Sequence, residues 1–243
     1  LPRKIFFMRP LAFVFILIFV SACISTQAGE SMKKEISFEA IDGVKIAADF
    51  YDSKSSAGVL LVHMMPAIKE SWKDFAGLLQ KNNFKVLAID LRGHGKSEFG
   101  PNGYLSFTDA EHQKGIGDVE AGVKFLRENG AEKISIVGAS IGANLALQFA
   151  NENEIASAVL LSPGLNYRGV DISEISMPAT KNIFLVASKD DEYSAESAQK
   201  IFGNLPAGEN KKIKIYEAAG HGTDMFSEKD LMGMVLKFIK NNG

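Results

Sequence analysis

The sequence predicts an α/β protein with a mostly parallel central sheet and helices on both faces. Short apolar runs rich in β-branched residues alternate with segments of helical period, which is the pattern of a sheet covered by helices. The length of 243 residues suits one such domain. Apolar residues make up 46% of the chain, so we expect a substantial buried core.

The sheet is predicted to open with an antiparallel hairpin. The runs 36–40 and 44–51 are joined through Asp42 and Gly43, and an Asp-Gly pair fits a tight turn. The later runs are short and mostly apolar, as strands buried on both faces should be. We predict these strands at 58–63, 84–90, 134–139, 158–162, 183–188 and 213–217.

Four segments between and after these strands show helical spacing of apolar residues. Their core-facing positions are Trp72, Phe75, Ala76 and Leu79, then Val119, Val123 and Leu126, then Leu145 and Phe149, and last Leu231, Val235, Phe238 and Ile239. Ser71 and Asp74 are placed to form a capping box for the first helix. The segment 165–177 is too short for a separate cap domain, so we expect a minimal cap.

Charge and cysteine usage exclude several classes of partner. The formal net charge is -2, which leaves no basic surplus to draw the body of the protein onto nucleic acid or an anionic membrane. Cys23 is the only cysteine, so the core must be held together by packing without an intrachain disulfide. No heptad pattern or apolar stripe predicts an oligomeric state.

The first residues have the layout of a secretory signal. Basic residues precede an unbroken apolar run at 11–20, and the small residues Ser21 and Ala22 follow it. The run is shorter than the roughly 20 apolar residues that a membrane-spanning helix needs. We therefore expect residues 1–22 to be a signal peptide that exports the protein.

The end of this signal, Val20-Ser21-Ala22-Cys23, resembles the lipobox of bacterial lipoproteins. The resemblance implies a lipidated Cys23, a polar tether at 23–34 and a folded domain at 35–243, with the protein held to the membrane of the cell envelope by its lipid. Ile24 follows the cysteine where an aspartate would signal retention, which in a Gram-negative organism implies the outer membrane. The alternative is an ordinary cleavage site with an incidental cysteine.

A candidate nucleophile lies between a predicted strand and a predicted helix. The sequence there is Gly138-Ala139-Ser140-Ile141-Gly142, a G-x-S-x-G motif in the strand, turn, helix context that gives the motif its meaning. Such a turn raises the serine hydroxyl above the sheet, and glycines leave room for the crowded neighbouring backbone. The alternative is a serine that only caps the helix.

From about residue 34 to its end, the chain resembles the α/β-hydrolase family, whose order of catalytic residues is nucleophile, acid, histidine. The resemblance implies Ser140 as nucleophile and His221, in a glycine-flanked turn after a strand, as base. It implies Asp190 as acid, because helix residues are then expected from about Glu196; Asp191 is the alternative. A neighbouring carboxylate is needed to orient and stabilise the protonated imidazole.

The same resemblance implies an oxyanion hole made of the backbone N–H groups of Ile141 and Met65. Met64 departs from the family pattern, which has glycine there, and His63 is expected to brace this loop. Among the other histidines, His94 lies in a turn typical of the family, and His112 is expected to be solvated. The Gly-Lys-Ser after His94 opens no helix and so predicts no phosphate-binding loop.

These residues predict a carboxylesterase-like serine hydrolase that acts on a small ester or thioester through an acyl-enzyme. No metal or organic cofactor is expected. Candidate residues for lining the pocket are Tyr167, Arg168, Phe99, Tyr104 and Met65. Two alternatives remain: a surface lipoprotein that uses the fold as a binding module, and a peptidase of the same fold, which the short 165–177 segment disfavours.

Overall fold

The computed structural model describes residues 1–2, 33–175, 181–206 and 211–242. The predicted signal peptide, except for its first two residues, lies outside the described residues, as do the lipidation site Cys23 and Met177 at the end of the predicted minimal cap. The chain divides into two units, Leu1–Glu30 and Ser31–Gly243, and all elements named below belong to the second.

Strands and helices alternate along the described chain. The strands are β1 (Lys33–Glu39), β2 (Lys45–Tyr51), β3 (Ala57–Val62), β4 (Lys85–Ile89), β5 (Lys133–Ala139), β6 (Ser157–Leu161), β7 (Asn166–Tyr167), β8 (Val170–Asp171), β9 (Ile183–Ser188) and β10 (Lys211–Tyr216). The helices are α1 (Lys73–Lys81), α2 (Asp109–Gln113), α3 (Gly115–Glu128), α4 (Ile141–Glu152), α5 (Glu192–Asn204) and α6 (Leu231–Asn242). None of the helices in these ranges has the length and hydrophobicity of a membrane-spanning segment.

Eight of the described strands form one sheet in the order β1-β2-β4-β3-β5-β6-β9-β10. β1 pairs antiparallel with β2, and β2 pairs antiparallel with β4, while the pairs from β4 through β10 are parallel. The predicted fold class and the opening hairpin are therefore confirmed. The parallel strands all present their carboxyl ends at one edge of the sheet, which is where such sheets collect reactive groups.

The sheet is buried on both faces. In β3, Leu60 and Val62 pack into one core with residues of α3, α4 and α5, whereas Val59 and Leu61 pack into a second core with residues of α1 and α6. This alternation follows from the two-residue period of a strand. Helices on both faces, predicted from the alternation of apolar runs with segments of helical period, are therefore confirmed.

Two local expectations need correction. The capping box predicted at Ser71 does not form. A 3-10 turn, Lys69–Trp72, precedes α1, which begins at Lys73, and the Ser71 hydroxyl is buried with no hydrogen-bond partner among the described residues. A capping box occurs instead at Thr108, before the short helix α2. The helix expected to begin near Glu196 begins at Glu192, a shift that matters for the acid.

The predicted minimal cap is a two-stranded hairpin in the part that is described. β7 and β8 pair antiparallel to each other, and they pair with no strand of the main sheet within the described ranges. The side-chain amide of Asn144, on α4, donates to the Val170 carbonyl at 2.8 Å. The hairpin is thus fixed to the helix that follows the candidate nucleophile.

Candidate active site

Ser140 lies in the sharp turn between β5 and α4. Its backbone has φ 53° and ψ -120°, a conformation that L-residues rarely adopt. The Ser140 N–H donates to the carbonyl of Leu161 at 2.8 Å, which ties the turn to the end of β6. Strain of this kind persists only where the surroundings enforce it, and it occurs preferentially at functional sites.

The two glycines of the motif make this turn possible. A Cβ on Gly138 would lie 2.2 Å from the carbonyl oxygen of Gly142, and a Cβ on Gly142 would lie 2.4 Å from that of Val62. Both obstacles are backbone atoms that cannot move aside. The helix therefore starts directly against the ends of β3 and β5, and the serine side chain is left at the carboxyl edge of the sheet.

His221 lies just after β10 in an extended conformation, and its partner is Asp191. The imidazole Nδ1 and Asp191 Oδ2 are 2.6 Å apart, with 33% of the histidine and 19% of the aspartate side chain exposed. Asp191 is the N-cap residue of α5, yet its carboxylate makes no capping hydrogen bond. The carboxylate instead contacts the imidazole Nδ1, so the other ring nitrogen, Nε2, points away from the aspartate.

The preferred assignment of Asp190 as acid does not agree with the structure. Asp190 is exposed, accepts a hydrogen bond from the Ser188 hydroxyl, and accepts from the Gly220 N–H at 3.2 Å. The hydrogen bond from Ser188 holds the pKa of the Asp190 carboxyl below its usual value. The alternative acid, Asp191, has the required contact because α5 begins earlier than the sequence suggested.

Sequence reasoning missed two serines that hold the histidine loop. Ser162, directly after β6, accepts a hydrogen bond from the Gly222 N–H at 2.8 Å, and Ser188, the last residue of β9, accepts one from the Ala219 N–H at 2.7 Å. Both serines are fully buried. Each lies at the carboxyl end of an apolar strand, and this change from apolar to polar residues is the signal that could have revealed them.

The predicted oxyanion donors lie in the expected elements. Ile141 is the first residue of α4, and Met65 lies in the loop after β3. Within the described ranges, the N–H groups of both residues donate no hydrogen bond outside their own elements. Free N–H groups at such a position can bind an oxyanion, and a helix N-terminus favours negative charge.

His63 braces the loop that carries Met65, as predicted. Its Nε2 accepts from the Leu91 N–H at 3.0 Å, so the proton is on Nδ1, which donates to the Met64 carbonyl at 2.8 Å. Complete burial lowers the pKa of His63 to about 3, so the ring stays neutral and keeps this tautomer.

Met64, which replaces the family's glycine, packs against the histidine loop. A Cβ on Gly222 would lie 2.4 Å from the Met64 sulfur, and the Thr223 hydroxyl is 3.9 Å from that sulfur. Gly222 has φ +57° and no side chain, which is what allows the thioether to fit. The departure from the family pattern is thus matched by a glycine on the opposing loop.

Ser140 and His221 are brought to the same edge of the sheet, although their side chains form no hydrogen bond to each other in the described chain. Tyr167 lies beside both. Its ring stands at 89° to the imidazole with the centroids 6.2 Å apart, and the Ser140 side chain is among the groups that act on the pKa of its phenol. The hydrogen bond between a nucleophile and its base often tightens only when substrate binds.

The other histidines have structural positions. His94 is buried and stacks on Tyr104 with ring centroids 4.1 Å apart, so this tyrosine is a packing residue rather than a clear pocket wall. His112 was expected to be solvated but is only 8% exposed. The turn containing His94 is held by Asp90, which accepts from the Lys96 N–H at 3.0 Å, and no described helix begins directly after this turn as a phosphate-binding loop would require.

Solved structures with the same fold include several hydrolases. An esterase of Pyrococcus furiosus is 23% identical, with a TM-score of 0.68 over 86% of this chain and 92% of that one. An esterase of Exiguobacterium antarcticum is 15% identical, with a TM-score of 0.66 over 85% and 100%. A proline iminopeptidase-related protein of Thermus thermophilus is 12% identical, with a TM-score of 0.65 over 86% and 98%. At these identities the likeness shows the fold alone.

A comparison with curated protein sequences gives no significant match. The family model of the alpha/beta hydrolase fold matches residues 59–196, which is more than half of the chain and includes the strands and helices that surround Ser140. Membership of this family supports a hydrolytic activity in general. The chain belongs to the α/β-hydrolase fold family.

Proposed function

We propose that the protein is a serine hydrolase that cleaves a carboxylic ester or thioester through an acyl-enzyme. The observation that carries the proposal is the 2.6 Å contact between His221 and Asp191 at the sheet edge where the strained Ser140 turn lies. An aspartate at the start of a helix usually caps it, so a carboxylate that contacts the imidazole instead supports a role in orienting His221.

In the proposed reaction Ser140 Oγ attacks the substrate carbonyl carbon while His221 Nε2 takes the hydroxyl proton. Asp191 stabilises the resulting imidazolium, and the N–H groups of Met65 and Ile141 bind the oxyanion. His221 then returns the proton to the departing alcohol or thiol, which leaves Ser140 acylated. A water molecule, deprotonated by His221, attacks the acyl group and restores the free serine. No metal or organic cofactor takes part.

A fluorophosphonate probe tests the nucleophile directly. We expect the purified protein to be labelled at Ser140, and we expect labelling to disappear in Ser140→Ala. Ser135→Ala is a matched control, because Ser135 lies buried on β5 with its hydroxyl 2.8 Å from that of Ser157 and away from the turn. An unlabelled wild-type protein would instead support the binding module that uses the fold without turnover.

Paired substrates separate an esterase from a peptidase. A p-nitrophenyl acetate and an aminoacyl p-nitroanilide release chromophores that can be followed in the same instrument. We expect turnover of the ester, because the described part of the minimal cap is a short hairpin and offers no extended surface for a substrate amine. Preferential turnover of the anilide would replace the esterase by the peptidase.

We also propose that the protein is exported and anchored to the cell envelope by lipid on Cys23. The support comes from the sequence: a basic start, an apolar run and a lipobox-like end at the only cysteine. Cys23→Ser should leave the precursor unprocessed or release the protein into the aqueous phase of a detergent partition. Ser25→Ala is the control, and detergent partition of Cys23→Ser like that of wild type would contradict the lipid.

A further inference from the structure

Tyr167 is the residue at this site to which the proposed reaction assigns no part. It ends β7, and the residues after it, Arg168 and Gly169, both have positive φ and reverse the chain tightly into β8. The amide of Asn144 holds the far strand of this hairpin from α4. The position of the tyrosine is therefore set by the helix that begins at the nucleophile.

The side chain of Tyr167 is also held from the acid's helix. Its hydroxyl is 2.8 Å from that of the buried Ser194 in the first turn of α5, and its ring packs edge to face on Tyr193 with centroids 5.5 Å apart. The space comes from Gly164, since a Cβ there would lie within 2.7 Å of both tyrosine rings. The phenol thus has a defined place between three elements.

Tyr167 lies beside the candidate catalytic residues. Its ring faces the imidazole of His221, its hydroxyl is hydrogen-bonded with that of Ser194, and the Ser140 side chain also acts on the pKa of the phenol. Burial raises the pKa of Tyr167 to about 12, so the phenol keeps its proton at ordinary pH. With the Ser194 hydroxyl as donor to its oxygen, the phenol has its own proton free for a partner on the reaction side.

We propose that Tyr167 is a further catalytic residue, whose hydroxyl donates a hydrogen bond to the departing oxygen of an ester substrate. This inference rests on the serine hydrolase activity proposed above. A phenol whose ring packs on the imidazole of His221 lies beside the group that carries the proton from the serine to the leaving group. As the tetrahedral intermediate collapses, the bond between the carbonyl carbon and the departing oxygen breaks, and this oxygen gains negative charge and becomes a strong acceptor for the phenol proton while His221 protonates it.

The proposal also names a substrate class. Oxygen that gains negative charge is a strong hydrogen-bond acceptor, whereas sulfur is a weak one. A phenol at the leaving group therefore favours oxygen esters over thioesters with the same acyl group. Removal of one donor from a developing oxyanion typically lowers kcat by about 10² to 10³-fold, and we expect a smaller loss, about 10 to 100-fold, because His221 supplies the proton itself.

The test compares Tyr167→Phe with wild type on an oxygen ester and a thioester that share one acyl chain and have unactivated alcohol and thiol leaving groups. We expect kcat for the oxygen ester to fall about 10 to 100-fold at little change in KM, and kcat for the thioester to fall less than about threefold. Tyr193→Phe is the matched control. It removes a phenol that bonds to the Asn166 backbone at 3.0 Å, and it should affect both substrates alike.

Equal losses on both substrates, or no loss in Tyr167→Phe, overturn the leaving-group role while Ser140 labelling still upholds the hydrolase. Absence of both labelling and turnover in wild type overturns the two proposals together. Thermal unfolding confirms that the variants fold. Ser194→Ala gives a second measurement, because it leaves the phenol in place but frees it from its support; a smaller loss that is again larger on the oxygen ester supports the proposal, and an equal loss opposes it.

Discussion

The two adjacent carboxylates of the acid loop give a sharp test of the site. Asp191→Asn keeps the size of the side chain and the ability to cap α5, but it removes the negative charge that faces the imidazole and allows the wrong tautomer of His221. Asp190→Asn is the matched control in the next position. We expect the first change to reduce kcat strongly and the second to reduce it less than about tenfold.

The expected size of the loss in kcat follows from the contact between His221 and Asp191. For unit charges at 2.6 Å, Coulomb's law with an effective dielectric constant of about 40, suited to a pair that is partly exposed, gives about 3 kcal/mol. That energy corresponds to about 10²-fold in rate. Loss of the correct tautomer adds to it, and the same change in a serine protease costs about 10⁴-fold. The expected loss in kcat for Asp191→Asn is therefore about 10² to 10⁴-fold.

The assay is steady-state hydrolysis of a p-nitrophenyl ester over a pH series, with circular dichroism and thermal unfolding of each variant. Little change in stability is expected for Asp191→Asn, since the carboxylate does not cap the helix. A larger loss in Asp190→Asn than in Asp191→Asn would refute the reasoning and restore the assignment made from sequence.

Three further outcomes are expected. The pKa of His63 is about 3 in the folded protein and about 6.5 in the unfolded chain, so its contribution to stability is present above about pH 6.5 and is lost as pH falls. The free energy of unfolding, measured with urea, should therefore decrease by about 2 kcal/mol between pH 7 and pH 5 because of this residue. This decrease should be absent in His63→Gln. Gly142→Ala should fold poorly or have a free energy of unfolding lower by more than about 3 kcal/mol, because the new Cβ would collide with the Val62 carbonyl. Gly77→Ala, with nothing within 4 Å of the new Cβ, should raise the free energy of unfolding by about 0.5–1 kcal/mol in the same denaturation assay. Ser162→Ala leaves the Gly222 N–H without its acceptor, and should lower both melting temperature and kcat; unchanged kcat would show that the loop needs no such support.

The fold could be predicted because its signals are periodic. Apolar strands and amphipathic helices repeat over many residues, and an error of one or two residues at a boundary does not change the architecture. Ser140 could also be identified from the sequence, because its motif needs glycines at fixed positions, and the structure explains these glycines by backbone contacts. These features depend on local sequence.

The acid could not be predicted in this way. Asp190 and Asp191 are adjacent and chemically identical, and the choice between them depends on the residue at which α5 begins. One residue changes the direction of a side chain at a helix start by about 100°. The contact between Ser194 and Tyr167 could not be predicted from the sequence either, because the two residues are 27 positions apart and meet only in the folded protein.

The anchoring of the histidine loop to Ser162 and Ser188 has a consequence for inactivation by heat. Both anchors are fully buried residues at the ends of neighbouring central strands, so the imidazole cannot leave its place without disturbing the sheet. Loss of turnover and loss of tertiary structure should then occur in one cooperative step. Residual activity after a heat challenge would then report the fraction of molecules that remain folded.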